Sequence, residues 1–143
     1  MSDFGDVGDF HRKFDLLTTS KERRPTLISK ELQEFRVKFL EEELAELKEG
    51  YELEDLPKIA DALVDLVYVA LGTAHLHGLP WASLFAEVQR ANMQKVRATR
   101  AEDSTRGSTF DVVKPPGWKA PAIMECLLIH NWPGRLLPLE DEK

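Results

Sequence analysis

The segment IADALVDLVYVALGTA at residues 59–74 constrains this chain more than any other. It is apolar almost all the way round a helical wheel, as the central helix of a bundle is. Its only charged residues are Asp61 and Asp65. They stand four apart and so share one face, which Tyr68 and Gly72 continue. No lysine or arginine in the segment can pair with them. A carboxylate in apolar surroundings is too costly to keep ionised alone; it needs a cation, a metal or a shifted pKa. The apolar run at 62–74 is interrupted by Asp65 and reads as too short to span a bilayer, so no membrane partner is expected.

The preceding helix makes the same demand. Ser29 reads as its N-cap, Glu31 and Glu34 suit the positive end of the dipole, and Gly50 reads as its stop, giving a helix over 30–49. On a wheel of about 100° per residue, Leu32, Phe35, Phe39, Leu40 and Leu47 form one stripe. Glu43, Glu46 and Arg36 fall inside that stripe and Glu42 at its edge, while Glu34, Glu41 and Lys48 lie opposite. A run such as EEELAELKEG is by itself usually a solvated helix surface, and Asp61 alone could serve a helix dipole. Two inward-facing acidic pairs on neighbouring helices, without cationic partners, favour metal binding instead. Four or five converging oxygen donors suit Mg²⁺ or Mn²⁺; zinc would want histidine or cysteine.

The rest of the chain reads as further helices. A short helix is expected over 6–17, with Phe10 and Phe14 on one side, then a loop over 18–27 containing Pro25. Asp55-Leu56-Pro57 restarts the chain into a helix over 57–77 that ends at Gly78. Pro80 opens a helix over 80–98, whose stripe of Trp81, Leu84, Phe85 and Val88 is continued by Asn92 and Lys95. An amide and a lysine there suit phosphate oxygens and a sugar or base edge, although a last-turn lysine also complements the dipole. The polar stretch 99–117 reads as a loop or mobile arm, 121–129 as a last short helix, and the end of the chain as a tail. Strand signals are weak. Short connections favour antiparallel neighbours, hence an all-α bundle.

The 143 residues suit one domain, with a core over about 7–98, an arm at 99–120 and a tail at 130–143. A net charge of −6 argues against a broad nucleic-acid surface. The single cysteine, Cys126, excludes an internal disulfide and a multi-cysteine zinc site, and fits a reducing, cytoplasmic setting. The N-terminus lacks the basic and apolar regions of a signal peptide. His11, His75, His77 and His130 show no ligand spacing and read as surface or helix-end residues. Neither a glycine-rich phosphate loop nor a Ser/His/Asp or Cys/His pattern is present.

Glu42-Glu43-Leu44-Ala45-Glu46, the run Asp61 to Val69 and Arg90-Ala91-Asn92-Met93-Gln94-Lys95 together resemble the all-α nucleotide pyrophosphohydrolases. That group includes MazG, the phosphoribosyl-ATP pyrophosphohydrolases and the dimeric dUTPases. Lys114-Pro115-Pro116-Gly117-Trp118 and Phe10-His11 resemble the phosphoribosyl-ATP pyrophosphohydrolase-like branch often carried by bacteriophages. The resemblance spans about residues 7–123. The family pattern is Glu-x-x-Glu, then Glu-x-x-Asp. Glu43 and Glu46 match its first half, but Ala62 stands three before Asp65 where the pattern has glutamate. Asp61 lies one position earlier.

The resemblance implies a four-helix MazG-like bundle, assembled as a dimer or tetramer with sites completed across subunits. It implies Mg²⁺-dependent hydrolysis of a nucleoside triphosphate to monophosphate and pyrophosphate, with dGTP or GTP, or dUTP or dCTP, as candidate substrates. Glu42, Glu43, Glu46, Asp61 and Asp65 would hold the metal, and the metal would lower the pKa of an attacking water. Glu42 or Glu43 would orient or deprotonate that water. Lys95, Lys114 and Arg36 would neutralise phosphate charge, with Phe10, His11, Asn92 and Trp118 also on the substrate side. The arm would close over the nucleotide.

Two rival classes remain at this point. A non-catalytic helical interaction module explains a bundle, but not acids aimed inward without partners. A di-iron carboxylate bundle wants Glu-x-x-His, and none of Glu22, Glu43, Glu46, Glu49 or Glu52 is followed by histidine at that spacing.

Overall fold

The computed structural model describes residues 2–17 and 24–134. Among these it places five α-helices and a two-stranded ribbon, so the fold is mostly helical, as expected. Parts of the expected loop (18–23) and tail (135–143) lie outside the described residues. The chain divides into two compact units, Met1–Leu79 and Pro80–Lys143.

The first unit holds α1 (Asp3–Lys13), α2 (Lys30–Glu52) and α3 (Leu56–Leu76). Helix α1 starts earlier than the apolar pattern implies, because Ser2 Oγ accepts the Gly5 N–H at 3.1 Å and caps it. It also stops sooner, at Lys13, with Asp15 in the left-handed region at φ 53°. Ser29 caps α2 as expected, its Oγ accepting from Leu32 N at 3.2 Å.

Gly50 does not end α2. It lies buried within the helix, and a Cβ there would sit 2.9 Å from Ile59 Cγ1. Its lack of a side chain lets α3 approach. The reversal comes later, at Glu54 (φ 52°), after which Asp55 Oδ1 accepts from Lys58 N at 3.1 Å and Pro57 fits the first turn of α3. The two helices therefore form an antiparallel hairpin with three successive rungs. Gly50 meets Ile59, Glu43 and Glu46 meet Asp65, and Arg36 meets Val69 and Thr73.

Helix α3 closes at Gly78, which adopts φ 65°, easy only for glycine, and donates to His75 O at 3.0 Å. The whole of α3 is long and apolar enough to cross a membrane, which corrects the reading from its interrupted apolar run. It is the core helix of this unit, with Ala62, Val69, Leu71, Ala74 and Leu76 buried alongside Val7 of α1.

The second unit holds α4 (Trp81–Met93), β1 (Val96–Arg97), a 3-10 turn (Ala101–Asp103), β2 (Val112–Val113) and α5 (Ile123–Ile129). Helix α4 is shorter than expected because the chain leaves it for β1. The stretch expected as a loop or mobile arm carries hydrogen-bonded structure. Strands β1 and β2 pair antiparallel, Val96 opposite Val113 and Arg97 opposite Val112. Asp111 gathers the segment between them. Its carboxylate accepts from Ser104 Oγ (2.7 Å), Arg106 Nη1 (2.7 Å) and Val112 N (2.8 Å). Glu87 on α4 accepts from Ala122 N at 3.0 Å, which fixes the start of α5.

Candidate active site

The acids of the first unit sit on the middle rung of the α2–α3 hairpin. One carboxylate oxygen from each of Glu43, Glu46 and Asp65 lies within 4.8 Å of the others. This is the spacing of ligands that share one ion. Glu43 Oε2 is buried with no hydrogen-bond partner among the described residues. None of the ion pairs among the described residues involves Glu42, Glu43, Glu46, Asp61 or Asp65. Burial pushes the Glu43 carboxyl above its ordinary pKa, and Asp65, Glu46, Asp61 and Glu42, in that order, push it further.

The five acids expected at the site thus divide. Glu43, Glu46 and Asp65 converge, with Glu43 and Asp65 half-buried and Glu46 exposed, while Glu42 and Asp61 are exposed outside the trio and act on Glu43 through their charge. An orphaned, desolvated carboxylate oxygen beside two more carboxylates is the environment a hard divalent cation relieves.

The other expected residues of this unit lie on the next rung and on α1. Arg36 is buried, at 8 % exposure; it donates through Nε to Thr73 Oγ1 (3.0 Å) and through Nη2 to Val69 O (2.9 Å). It holds α2 against α3 one rung from the acids. Burial lowers its pKa. Phe10 packs edge-on against Tyr68 at 5.5 Å between ring centroids, one turn beyond Asp65.

His11 is buried at 2 % exposure, which corrects its reading as a surface or helix-end residue. Its Nδ1 has no partner among the described residues. Burial, then Arg36, then His75 lower its pKa, so the ring is held neutral. His75 is likewise no bare helix end: its ring stacks on Phe4 at 3.7 Å and its Nε2 donates to Phe4 O at 2.6 Å. A lone histidine carries no spacing signal. What buries His11 is the smooth patch at Gly72, visible in the sequence only as a glycine in an apolar run.

In the second unit, Asn92 is exposed at the end of α4. Trp118 is half-buried, and its indole Nε1 donates to Ala91 O at 2.7 Å. The Lys95 and Lys114 ammonium groups lie 5.4 and 4.9 Å from the centre of that ring. Lys95, Lys114 and Trp118 therefore form one cluster, which their sequence separation concealed.

A comparison with individual characterised proteins found no match. The profile described as phosphoribosyl-ATP pyrophosphohydrolase matches residues 7–92. That stretch is more than half of the chain and includes all five acids. The chain belongs to the phosphoribosyl-ATP pyrophosphohydrolase family, within the MazG-like all-α nucleotide pyrophosphohydrolases.

Proposed function

We propose that this protein hydrolyses a nucleoside triphosphate to monophosphate and pyrophosphate with Mg²⁺, or Mn²⁺, held by Glu43, Glu46 and Asp65. The observation that carries the proposal is the convergence of these three carboxylates around a buried, unpartnered Glu43 oxygen. Membership of a pyrophosphohydrolase family supports the reaction class. Asp61 and Glu42 flank the trio and complete a strongly anionic site. The ion, when bound, supplies positive charge to phosphate oxygens and acidifies water.

The protein's own part is to orient and to take a proton. Glu42 or Glu43 accepts a proton from a water aligned on the α–β phosphoanhydride. The water oxygen forms a bond to phosphorus as the bridging P–O bond breaks, and pyrophosphate departs with the bridging electron pair. Glu42 suits the proton-accepting role because it is exposed and lies outside the trio. Arg36 and His11 stiffen the frame behind the acids. Phe10, Asn92, Lys95, Lys114 and Trp118 are assigned to the substrate.

A panel of nucleotides, including dGTP, GTP, dUTP, dCTP and phosphoribosyl-ATP, assayed for pyrophosphate release tests the proposal. Turnover of at least one in Mg²⁺ and none in EDTA is expected. No release from any of them would refute it.

The active form is a homodimer or homotetramer acting in the cytoplasm. Leu63, Val64 and Val67 on α3 are 47, 63 and 53 % exposed, and they line a groove with Val7, Tyr68 and Leu71. A contiguous apolar face of this kind on a core helix is what a second copy covers. Sedimentation should therefore show a species of at least twice the 16.3 kDa chain mass. Val64→Glu should shift it toward monomer, because it places a charge in the covered face. A wild-type monomer at working concentration would refute the assembly.

A further inference from the structure

Helix α1 is too weak to stand alone. Its 11 residues are fewer than an isolated helix needs in water, and Gly5 and Gly8 weaken it further. It therefore persists only while docked on α3. The docking face is small. Val7 and His11 are each 2 % exposed, and the Phe4 ring lies flat on His75. Gly8 lets the two helices close, since a Cβ there would sit 2.7 Å from His75 Cε1. Gly72 seats the His11 ring on α3 in the same way.

The surroundings of His11 suit only a neutral ring. The groups whose charge reaches it are Arg36 from α2 and His75 from α3, and both are cations when ionised. On α1 itself Arg12 is engaged with Asp9 at the surface, and Tyr68 of α3 meets Phe10 instead. Protonation puts an N–H on both ring nitrogens. His11 Nδ1 is buried with no partner among the described residues, so its N–H would lack an acceptor. An imidazolium left in that state beside a guanidinium is costly, and the ring escapes the cost by leaving together with α1. His75 does not act this way. Its Nε2 already donates to Phe4 O at 2.6 Å, a bond that the protonated ring keeps.

We propose that His11 is an acid-sensitive latch: when its ring takes up a proton, α1 leaves α3 and the Phe10–Tyr68 pair beside Asp65 comes apart. The groove on α3 then loses one wall, formed by Val7 with Asp3 and Asp6. The direction in pH follows from the docked state. Burial, then Arg36, then His75 hold the His11 pKa below its ordinary value, so the undocked chain binds the proton more tightly. Docking is fully favoured above about pH 6.5 and weakens as pH falls below it, by up to about tenfold per unit, until the docked ring titrates too. The effect on turnover rests on the proposed hydrolysis; the release of α1 does not.

The test is amide hydrogen exchange of the intact protein between about pH 7.5 and pH 5, corrected for the intrinsic rate. Protection of the α1 amides, measured against those in the middle of α3, should fall on the order of tenfold in acid. His11→Gln and His11→Phe, neither of which titrates, should keep the same α1 protection throughout. His77→Gln should behave as wild type, because that ring bonds Thr26 O and not α1. The ring-nitrogen resonances of the wild-type histidines give a readout that needs no variant. His11 should stay neutral below the ordinary histidine range and titrate together with the opening of α1.

Three results would overturn the latch: α1 protection that does not change with pH, a His11 ring that takes up a proton while α1 stays protected, or the same acid loss in both non-titrating variants. Turnover, scaled for each protein to its own value at about pH 7.5, should fall more steeply in wild type than in His11→Phe. Release of α1 in acid without turnover of any nucleotide would leave the latch standing and refute the hydrolase. Parallel activity profiles, with α1 released in wild type alone, would overturn the link between α1 and the acids.

Discussion

Glu43→Gln should abolish Mg²⁺-dependent pyrophosphate release while making the metal-free protein more stable. The loss of turnover should be on the order of a thousandfold or more, since the substitution keeps the shape of the side chain but removes the charge at the centre of the acidic trio. The gain in stability follows from the same geometry. In the fold, burial and four neighbouring acids hold the Glu43 carboxyl above its ordinary pKa. The folded state therefore binds that proton more tightly than the unfolded chain does. Above the ordinary carboxylate range the ionised group is a penalty on folding, and the penalty grows as pH rises through the raised value. Below the ordinary range both states are protonated and the penalty vanishes.

Glutamine carries no such penalty. In EDTA at neutral pH the variant should melt above wild type, and in acid the two should converge. Added Mg²⁺ should reverse the order, by stabilising wild type and leaving the variant largely unchanged. Thermal unfolding of both proteins with and without the ion measures this directly. A variant that turns over normally, or that melts below wild type in EDTA, would remove Glu43 from the centre of the site.

The site was legible in the sequence to the extent that helical period reports a face. Glu43, Glu46 and Asp65 stood out because a wheel put charge on sides that should be apolar, and the fold brings those three together. A wheel gives direction but neither depth nor rotamer, so it could not separate them from Glu42 and Asp61, which lie outside the converging trio.

Helix ends were legible where side-chain chemistry is local: Ser29 caps α2 and Gly78 closes α3 as their types suggest, whereas the cap by Asp55 shows only in the structure. Gly50 misled for the opposite reason. Its role is set by Ile59 on the next helix, a contact no local rule contains. The ribbon escaped notice because strands of two residues have no period to show, and their pairing is organised by Asp111 rather than by a hairpin dipeptide.

Gly72→Ala carries the largest expected effect on stability. In an exposed helix interior this change is favourable by roughly 1 kcal/mol, because alanine has the better helix propensity. Here the surroundings reverse the sign. A Cβ on Gly72 would lie 2.5 Å from His11 Nε2 and 2.7 Å from Arg36 Nη2. Neither neighbour is free to swing away. His11 is buried beneath α1, and Arg36 is held by Thr73 Oγ1 and Val69 O.

Accommodation must either lift α1 off α3 or strip a buried guanidinium of its acceptors. Overpacking of this kind typically costs about 1–3 kcal/mol, and a stranded buried charge adds to it. A fall in melting temperature of roughly 10 °C is expected for a chain of this size. His11→Ala should partly rescue the variant, because it removes the ring that the new methyl meets. The double variant should then lose less than the two single losses combined, the signature of residues in direct contact. Activity should fall in Gly72→Ala as well, since α1 carries the Phe10 ring that packs on Tyr68 beside Asp65. A Gly72→Ala protein as stable as wild type would mean that α1 does not seat on α3 through His11.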